Sequence, residues 1–418
     1  METARPGSTA PASVVRPAIV YALLFGAQGA FLPYIPLYLA STGLDLGTVG
    51  ALIALAAAIS LVAAPSWGAL ADGIGDVRGP VVVAGFLSGA SVVLLSVAVG
   101  PFAIAVSIAL LAAAFGGVIP MIDSQAVRLV GQRDRFGLAR APGSAAFVVV
   151  AFATGVVLGV AGAGGMFLVY GPLVVLTGLG AFVLLRLPPA AASGSSGRRR
   201  SSSGPTGRAL AGLAPATILG VLRTPRLGLF FVASVVVWTS HAALQGFISI
   251  RVRDLGGDAT AIAATWSLGA VVEVFLMSGF PALARRFGAE RLIVIGAFAF
   301  AARAIVSALV DAPAAIVLAS AFGGVGFSFF YVGTVTWVAG AVGRGVQATA
   351  QGIFSGTSNS IGAIGGSVIG GAIGGAFGLP TLFGIAAAGY AIGAVLTWLA
   401  IARGPVARPL GPSDIASA

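Results

Sequence analysis

The sequence predicts an all-α membrane protein whose twelve transmembrane helices form two similar six-helix bundles. Three observations lead there: an apolar composition, a count of apolar runs and an internal repeat. Of 418 residues, 58% are hydrophobic and 8% are charged, and the mean hydropathy is +1.04. That leaves too few polar side chains to cover a water-soluble globule of this size. The 62 glycines fit helices packed in lipid, where small residues bring backbones together.

A helix needs about 20 apolar residues to cross the hydrocarbon layer. Twelve runs meet this, over Arg16 to Ser41, Gly47 to Ala71, Gly79 to Val99, Pro101 to Val130, Ala139 to Val160, Gly165 to Leu187, Arg226 to Val252, Ala259 to Ala284, Leu292 to Val310, Pro313 to Val342, Gln347 to Gly374 and Leu379 to Ala402. An even count puts both termini on one side. The run after the polar segment Met1 to Val15 is too long for a signal-peptide core and reads as a retained first span. The stretch 188–224, with Ala191 to Gly207 dominated by Ser, Gly and Arg, reads as a flexible linker between bundles at 16–187 and 225–402. Tails of 1–15 and 403–418 complete the chain.

The net charge of +11 comes from arginine alone, 23 residues with no lysine. Twenty lie in the N-terminal tail, the even-numbered junctions and the C-terminal tail, against Arg251 and Arg253 on the other side. Such a bias predicts cytoplasmic termini in a multi-pass plasma-membrane protein. Arg198 to Arg200 fit the same anchoring role or a contact with anionic lipid. Arginines spread over span ends are not the single basic face that nucleic acid requires.

The repeat joins Leu70-Ala-Asp-Gly-Ile-Gly-Asp-Val-Arg78 to Leu283-Ala-Arg-Arg-Phe-Gly-Ala-Glu-Arg291 by the pattern Leu-Ala-x-x-x-Gly-x-x-Arg. Each copy follows the second span of its half, as in parallel-repeat transporters.

Ionisable groups inside hydrocarbon cost at least a few kcal/mol each, so they face the protein interior, pair and mark a pathway. Glu273 and Arg303 each sit roughly 17 Å into their spans at 1.5 Å per residue, deep enough to meet near the midplane. Asp123 and Arg140 flank the junction of the fourth and fifth spans and form a second candidate pair. Burial favours a neutral carboxylic acid and a cationic partner favours the anion, so conformation can set protonation. On this reading Glu273 is the coupling carboxylate and Arg303 its counter-charge and an anion contact; static interhelical clasps are the alternative.

His241, the single histidine, lies mid-span with Trp238 and Gln245 on the same helical face, a candidate wall of a solute cavity. Gln28, Asn359 and Tyr34 are further cavity candidates. Tyr34 and Tyr38 interleave with Pro33 and Pro36, which predicts a kink near the end of the first span. Interfacial anchoring explains the tyrosines almost as well. Gly362, Gly366, Gly370 and Gly374 form a smooth stripe for helix packing.

Gly68-Ala-Leu-Ala-Asp72 with Gly75 and Arg78 resembles the loop signature of the major facilitator superfamily. The resemblance implies that Asp72 and the basic residues hold the two halves together at the cytoplasmic side in one state, with Arg285, Arg286, Gly288 and Arg291 as the second copy. Asp76-Val77 stands where that family usually has basic residues. A finer resemblance runs through Phe31 to Leu39, Pro120 to Asp123, Arg140 to Ser144, Ser240-His241, Trp266 to Glu273, Arg285 to Gly288, Arg303 and Gln347 to Gln351. These look like the branch of the 3-phenylpropionate permeases, near nucleoside:proton symporters and the lactose-permease group, where an acid and an arginine stand at what look like the places of Glu273 and Arg303. Pro142 departs from it, since a Trp is expected before the Gly-Ser.

The absence of cysteine excludes thiol catalysis and disulfides, and no phosphate loop, metal-ligand spacing or selectivity filter is present. No enzyme activity or cofactor is indicated. The expectation is a monomeric secondary transporter in a lipid bilayer, coupling a proton to import of an aromatic acid, a nucleoside or a sugar-like solute. A proton-driven efflux antiporter and a non-transporting receptor on the same fold remain open. Against export, Arg140 to Val160 has Pro142 and Gly143 only at its start, where many exporters carry a glycine-proline motif.

Overall fold

The computed structural model describes residues 14–130, 133–186, 225–342 and 347–401; the side chains of 133–135, 225, 347–349 and 357–359 are outside the described set. Twelve helices among the described residues are long and apolar enough to cross a membrane: Val15–Ser41, Leu46–Ile74, Arg78–Val97, Pro101–Val130, Phe136–Ala161, Ala163–Leu184, Arg226–Asp254, Ala259–Phe287, Ala289–Leu309, Pro313–Ala341, Ala350–Phe377 and Leu379–Ile401. Each overlaps one of the twelve apolar runs. Several helices continue about a turn beyond the hydrophobic run, because the ladder of backbone hydrogen bonds does not stop where hydropathy does. The linker 188–224 with Arg198 to Arg200, the N-terminal 1–13 and the tail 403–418 lie outside the described residues.

The sequence offset of 213 residues recurs in the backbone. Asp45 caps the second span by accepting from the Thr48 amide at 3.0 Å, and Asp258 caps the eighth by accepting from Ala261 at 2.8 Å. These side-chain acceptors satisfy amides that a helix start leaves unpaired. The turns before both caps use left-handed glycines, Gly43 and Gly256, each at φ 84°. Both 29-residue helices end at another such pair, Gly75 at φ 79° and Gly288 at φ 85°. Left-handed φ is open to glycine without a Cβ clash, so these positions fix where each helix stops.

The first span breaks between Phe31 and Ile35. Pro33 lies in the break and brings no N–H to continue the helix, which accounts for the expected kink. The seventh span breaks at the matching place, between Gln245 and Ile248. There Gly246 stands in the break without a proline. The eleventh span carries a π-helical segment, Thr357–Gly362.

The glycine stripe packs as expected. A Cβ on Gly362 would meet Trp238 Cβ at 2.6 Å, one on Gly370 would meet Ala243 Cα at 3.1 Å, and Gly366 abuts the Thr239 carbonyl. Across the two halves, the second span packs on the eleventh and the fifth on the eighth. Gly50 meets Ser367 and Gly371, and Gly155 lies against Ala259. The Tyr34 hydroxyl, fully buried, donates to Ala151 O of its own half at 2.8 Å and reaches Ala259 O across the same seam at 3.2 Å. These contacts sit toward the face opposite the termini. At the terminal face, Gly68 and Gly73 have open space where a Cβ would be, and Asp72, Arg285 and Arg286 are exposed. The halves are therefore sealed together at the end opposite the termini, and the loop motifs at the terminal end stand exposed.

Candidate functional site

In the N-terminal half, Asp123 projects from the fourth span toward Arg140 at the start of the fifth. An Arg140 terminal nitrogen lies 3.1 Å and 3.2 Å from the two carboxylate oxygens. Tyr21 of the first span donates its hydroxyl to the same carboxylate at 2.6 Å. The guanidinium stacks over Phe25 at 4.9 Å from the ring centre and lies 5.8 Å from the Tyr21 ring. Gly143 keeps this arrangement compact, because a Cβ there would crowd Phe25 and lie 3.0 Å from Tyr21 O. Tyr21 and Phe25 were absent from the sequence expectation. Their spacing of four, with Gln28 three residues further on, is the helical-face signal that points to them.

The C-terminal half holds a different cluster. His241 Nδ1 is 3.4 Å from the Tyr390 hydroxyl, and its ring packs near Trp238 and Phe300 at 5.2 Å and 5.0 Å. Tyr390 stacks on Phe300 at 5.1 Å. Arg303 lies within electrostatic reach of both His241 and Tyr390 and is only 5% exposed. Gly323 makes room for it: a Cβ there would come within 2.8 Å of the Arg303 Nη1. Three buried polar atoms in this region have no partner among the described residues, namely Arg303 Nε, Trp238 Nε1 and Gln245 Oε1.

The expected Glu273–Arg303 pair does not form; among the described residues no ion pair joins them. Both reach similar depth, but the tenth span stands between them, with Gly324 against the Glu273 backbone and Gly323 against Arg303. Depth along a helix leaves the direction around its axis undetermined, and direction decides contact here. Glu273 is half-buried, and the cation whose field reaches it is Arg140 of the other half.

Gln28 lines a cavity of about 220 Å³ with Phe31, Ile35, Ile53, Phe115 and Tyr170. Tyr34 is not among the residues lining that cavity; its hydroxyl reaches Ala259 across the seam at the sealed end. The Asn359 side chain lies outside the described residues. In the loop motif, Asp72 is exposed and Arg78 pairs with Asp76 at 2.8 Å. Burial works against the Asp76 carboxylate, yet hydrogen bonds from Arg78 and the charges of Arg78 and Arg128 hold its pKa below the usual 3.8. Arg286 lies over Phe287, and Arg291 is exposed beyond Gly288.

Comparison with known proteins matches these features to one lineage. The model of the MFS_1 like family matches residues 14–385. A maltose permease of Geobacillus stearothermophilus is 25% identical over 350 residues, covering 82% of this chain and 84% of the permease. The crystal structure of the nucleoside transporter NupG superposes with a TM-score of 0.78 at 17% identity, covering 93% of this chain and 98% of that one. A bacterial homologue of the human lysosomal transporter Spinster, in an inward-facing and unoccupied conformation, gives 0.69 at 14% identity, with 95% and 96% covered. The family match spans nearly all the described residues, and the twelve helices share the fold of those transporters: the chain belongs to the MFS_1 like family and is a major facilitator superfamily transporter.

Proposed function

We propose that this transporter is a symporter that couples proton movement to uptake of a small organic solute, working by alternating access in the plasma membrane as a monomer. The terminal face is cytoplasmic on this reading, as the arginine distribution requires. The sealed end is then the outer one. The observation that carries the proposal is Glu273: a carboxylate within the membrane, without an ion pair among the described residues and within electrostatic reach of Arg140 in the other half.

An acid in that position is a coupling group because the seam is what moves. When the halves rock, the separation of Glu273 from Arg140 changes, and with it the balance between carboxylate and neutral acid. Asp123 and Tyr21 keep Arg140 in place from its own half, so the cation has one fixed partner and one that conformation supplies. Gln28 in one half and the Trp238–His241 face in the other are the solute contacts on this reading. Uptake into proteoliposomes under an imposed pH gradient tests this. Accumulation should follow an inward proton gradient and collapse with a protonophore; solute uptake that ignores the gradient contradicts proton coupling.

A further inference from the structure

The first and seventh spans each end in a seven-residue tip, Ile35–Ser41 and Ile248–Asp254, set off from the rest of the span by a break. The two tips pack on each other across the halves at the sealed end. A break of this kind can act as a hinge, so the contacts a tip makes decide which body it moves with.

Each tip is tied to the third span of its own half by one long side chain. The Tyr38 hydroxyl donates to Leu95 O at 3.0 Å, in the last turn of the third span. Arg251 Nε donates to Ser307 O at 3.4 Å, in the last turn of the ninth, and its Nη2 lies 2.6 Å from Asp311 in the turn that follows. Tyr38 and Arg251 stand 213 residues apart, the offset that also relates Gly43 to Gly256 and Asp45 to Asp258. The side chains differ, yet each reaches a carbonyl in the last turn of a helix, where the regular ladder supplies no donor. The guanidinium gains further from the negative end of the helix dipole. Arg251 is one of two arginines that run against the charge bias of the chain, and it is only 7% exposed. Anchoring at a membrane surface does not need a buried guanidinium, so its value lies in what it holds. Further contacts tie the tips the same way: the Tyr38 ring meets Phe167 of the sixth span at 4.6 Å, and Trp266 Nε1 of the eighth donates to Ser249 Oγ at 3.0 Å.

We propose that Tyr38 and Arg251 are positioning residues for the seal: they make each tip part of its own bundle, so that rocking of the halves parts the tips instead of bending them at the breaks. This rests on the alternating-access reading above and is independent of the solute and the coupling ion. A tip without its tether leans away at its break, and the seal leaks.

The test uses the cysteine-free chain with a cysteine introduced at Ile53, whose Cδ1 lies 3.8 Å from where a Cβ on Gly246 would stand, at the break of the seventh span. A membrane-impermeant maleimide is applied to intact cells. Arg251→Gln, Asp311→Asn and Tyr38→Phe should each raise the labelling rate by roughly threefold or more, the scale of one lost hydrogen bond. Asp311 is 79% exposed, so Asp311→Asn still reads the C-terminal tether if Arg251→Gln does not reach the membrane. Arg251→Gln combined with Asp311→Asn should add little to Arg251→Gln alone, because both remove the same contact. A cysteine placed instead at Ala297, fully buried in the C-terminal half, should stay unlabelled throughout. Wild-type rates in Arg251→Gln and Asp311→Asn overturn the C-terminal tether, and a wild-type rate in Tyr38→Phe overturns the N-terminal one. Labelling that rises equally at Ala297 overturns both, since the residues then only hold the fold together. Gly371→Leu separates the proposal from the reading beneath it, because a side chain there presses on the Gly50 backbone at the seal itself. If it raises labelling and the tether variants do not, alternating access stands and the tethers fail. If none of them raises it, both fail.

Discussion

Arg140 and Arg303 stand one in each half of the molecule, and they are treated in opposite ways. Arg140 is 40% exposed and held by Asp123, the Tyr21 hydroxyl's acceptor, and by the Phe25 ring. Arg303 is enclosed and has no acid among the described residues. The backbone repeats faithfully between the halves, in the caps Asp45 and Asp258 and the stops Gly75 and Gly288. The charges do not. A duplicated scaffold thus carries an ion-paired arginine in one half and, in the other, an enclosed one without an ion pair among the described residues.

Removing the partnered cation should have the largest effect. Arg140→Gln leaves Asp123 half-buried without its cation and deprives Glu273 of the charge that faces it. Transport should fall about a hundredfold, and an uptake assay with the protein's expression matched to wild type checks it; a loss below about threefold would show that Arg140 is not shared between the halves. Next comes the sealed end, where Gly371→Leu places a side chain against the Gly50 backbone. The protein should be unable to close there. Because the chain has no cysteine, one introduced at Ile53 becomes a clean reporter, and its labelling from outside should rise several-fold. Unchanged labelling would place the seal elsewhere.

A smaller effect is expected from Tyr21→Phe, which deletes one hydrogen bond to a charged acceptor, worth roughly 1.5–3 kcal/mol when buried and less here, where both partners of the ion pair are partly exposed. KM should rise a few-fold with little change in kcat; a large kcat loss would make Tyr21 part of the coupling machinery. Smallest of all is Asp76→Asn. Its carboxyl lies below 3.8 in the folded protein, so its pairing with Arg78 contributes fully above that pH and is lost only as pH falls through the lowered value. The variant should melt within a degree or two of wild type at pH 7, with the difference shrinking in acid.

The spans, the kink at Pro33 and the glycine stripe were legible because they depend on local pattern: hydropathy along the chain, a missing amide, a spacing of four. Asp123 and Arg140 sit near one junction, so proximity in sequence also served. Glu273 and Arg303 misled because matching depth says nothing about direction, and a third helix fills the gap. Tyr390 gave no signal at all. It sits in a small, apolar segment of the twelfth span, and only packing against Phe300 and His241 makes it part of a site.

We propose that Glu273, within electrostatic reach of Arg140 across the seam, carries the coupled proton. Its most direct test compares wild type with Glu273→Gln in proteoliposomes, measuring accumulation under an inward pH gradient and solute exchange at equal pH. Exchange should survive while gradient-driven accumulation disappears. If Glu273→Gln accumulates solute as well as wild type does, the proton travels elsewhere.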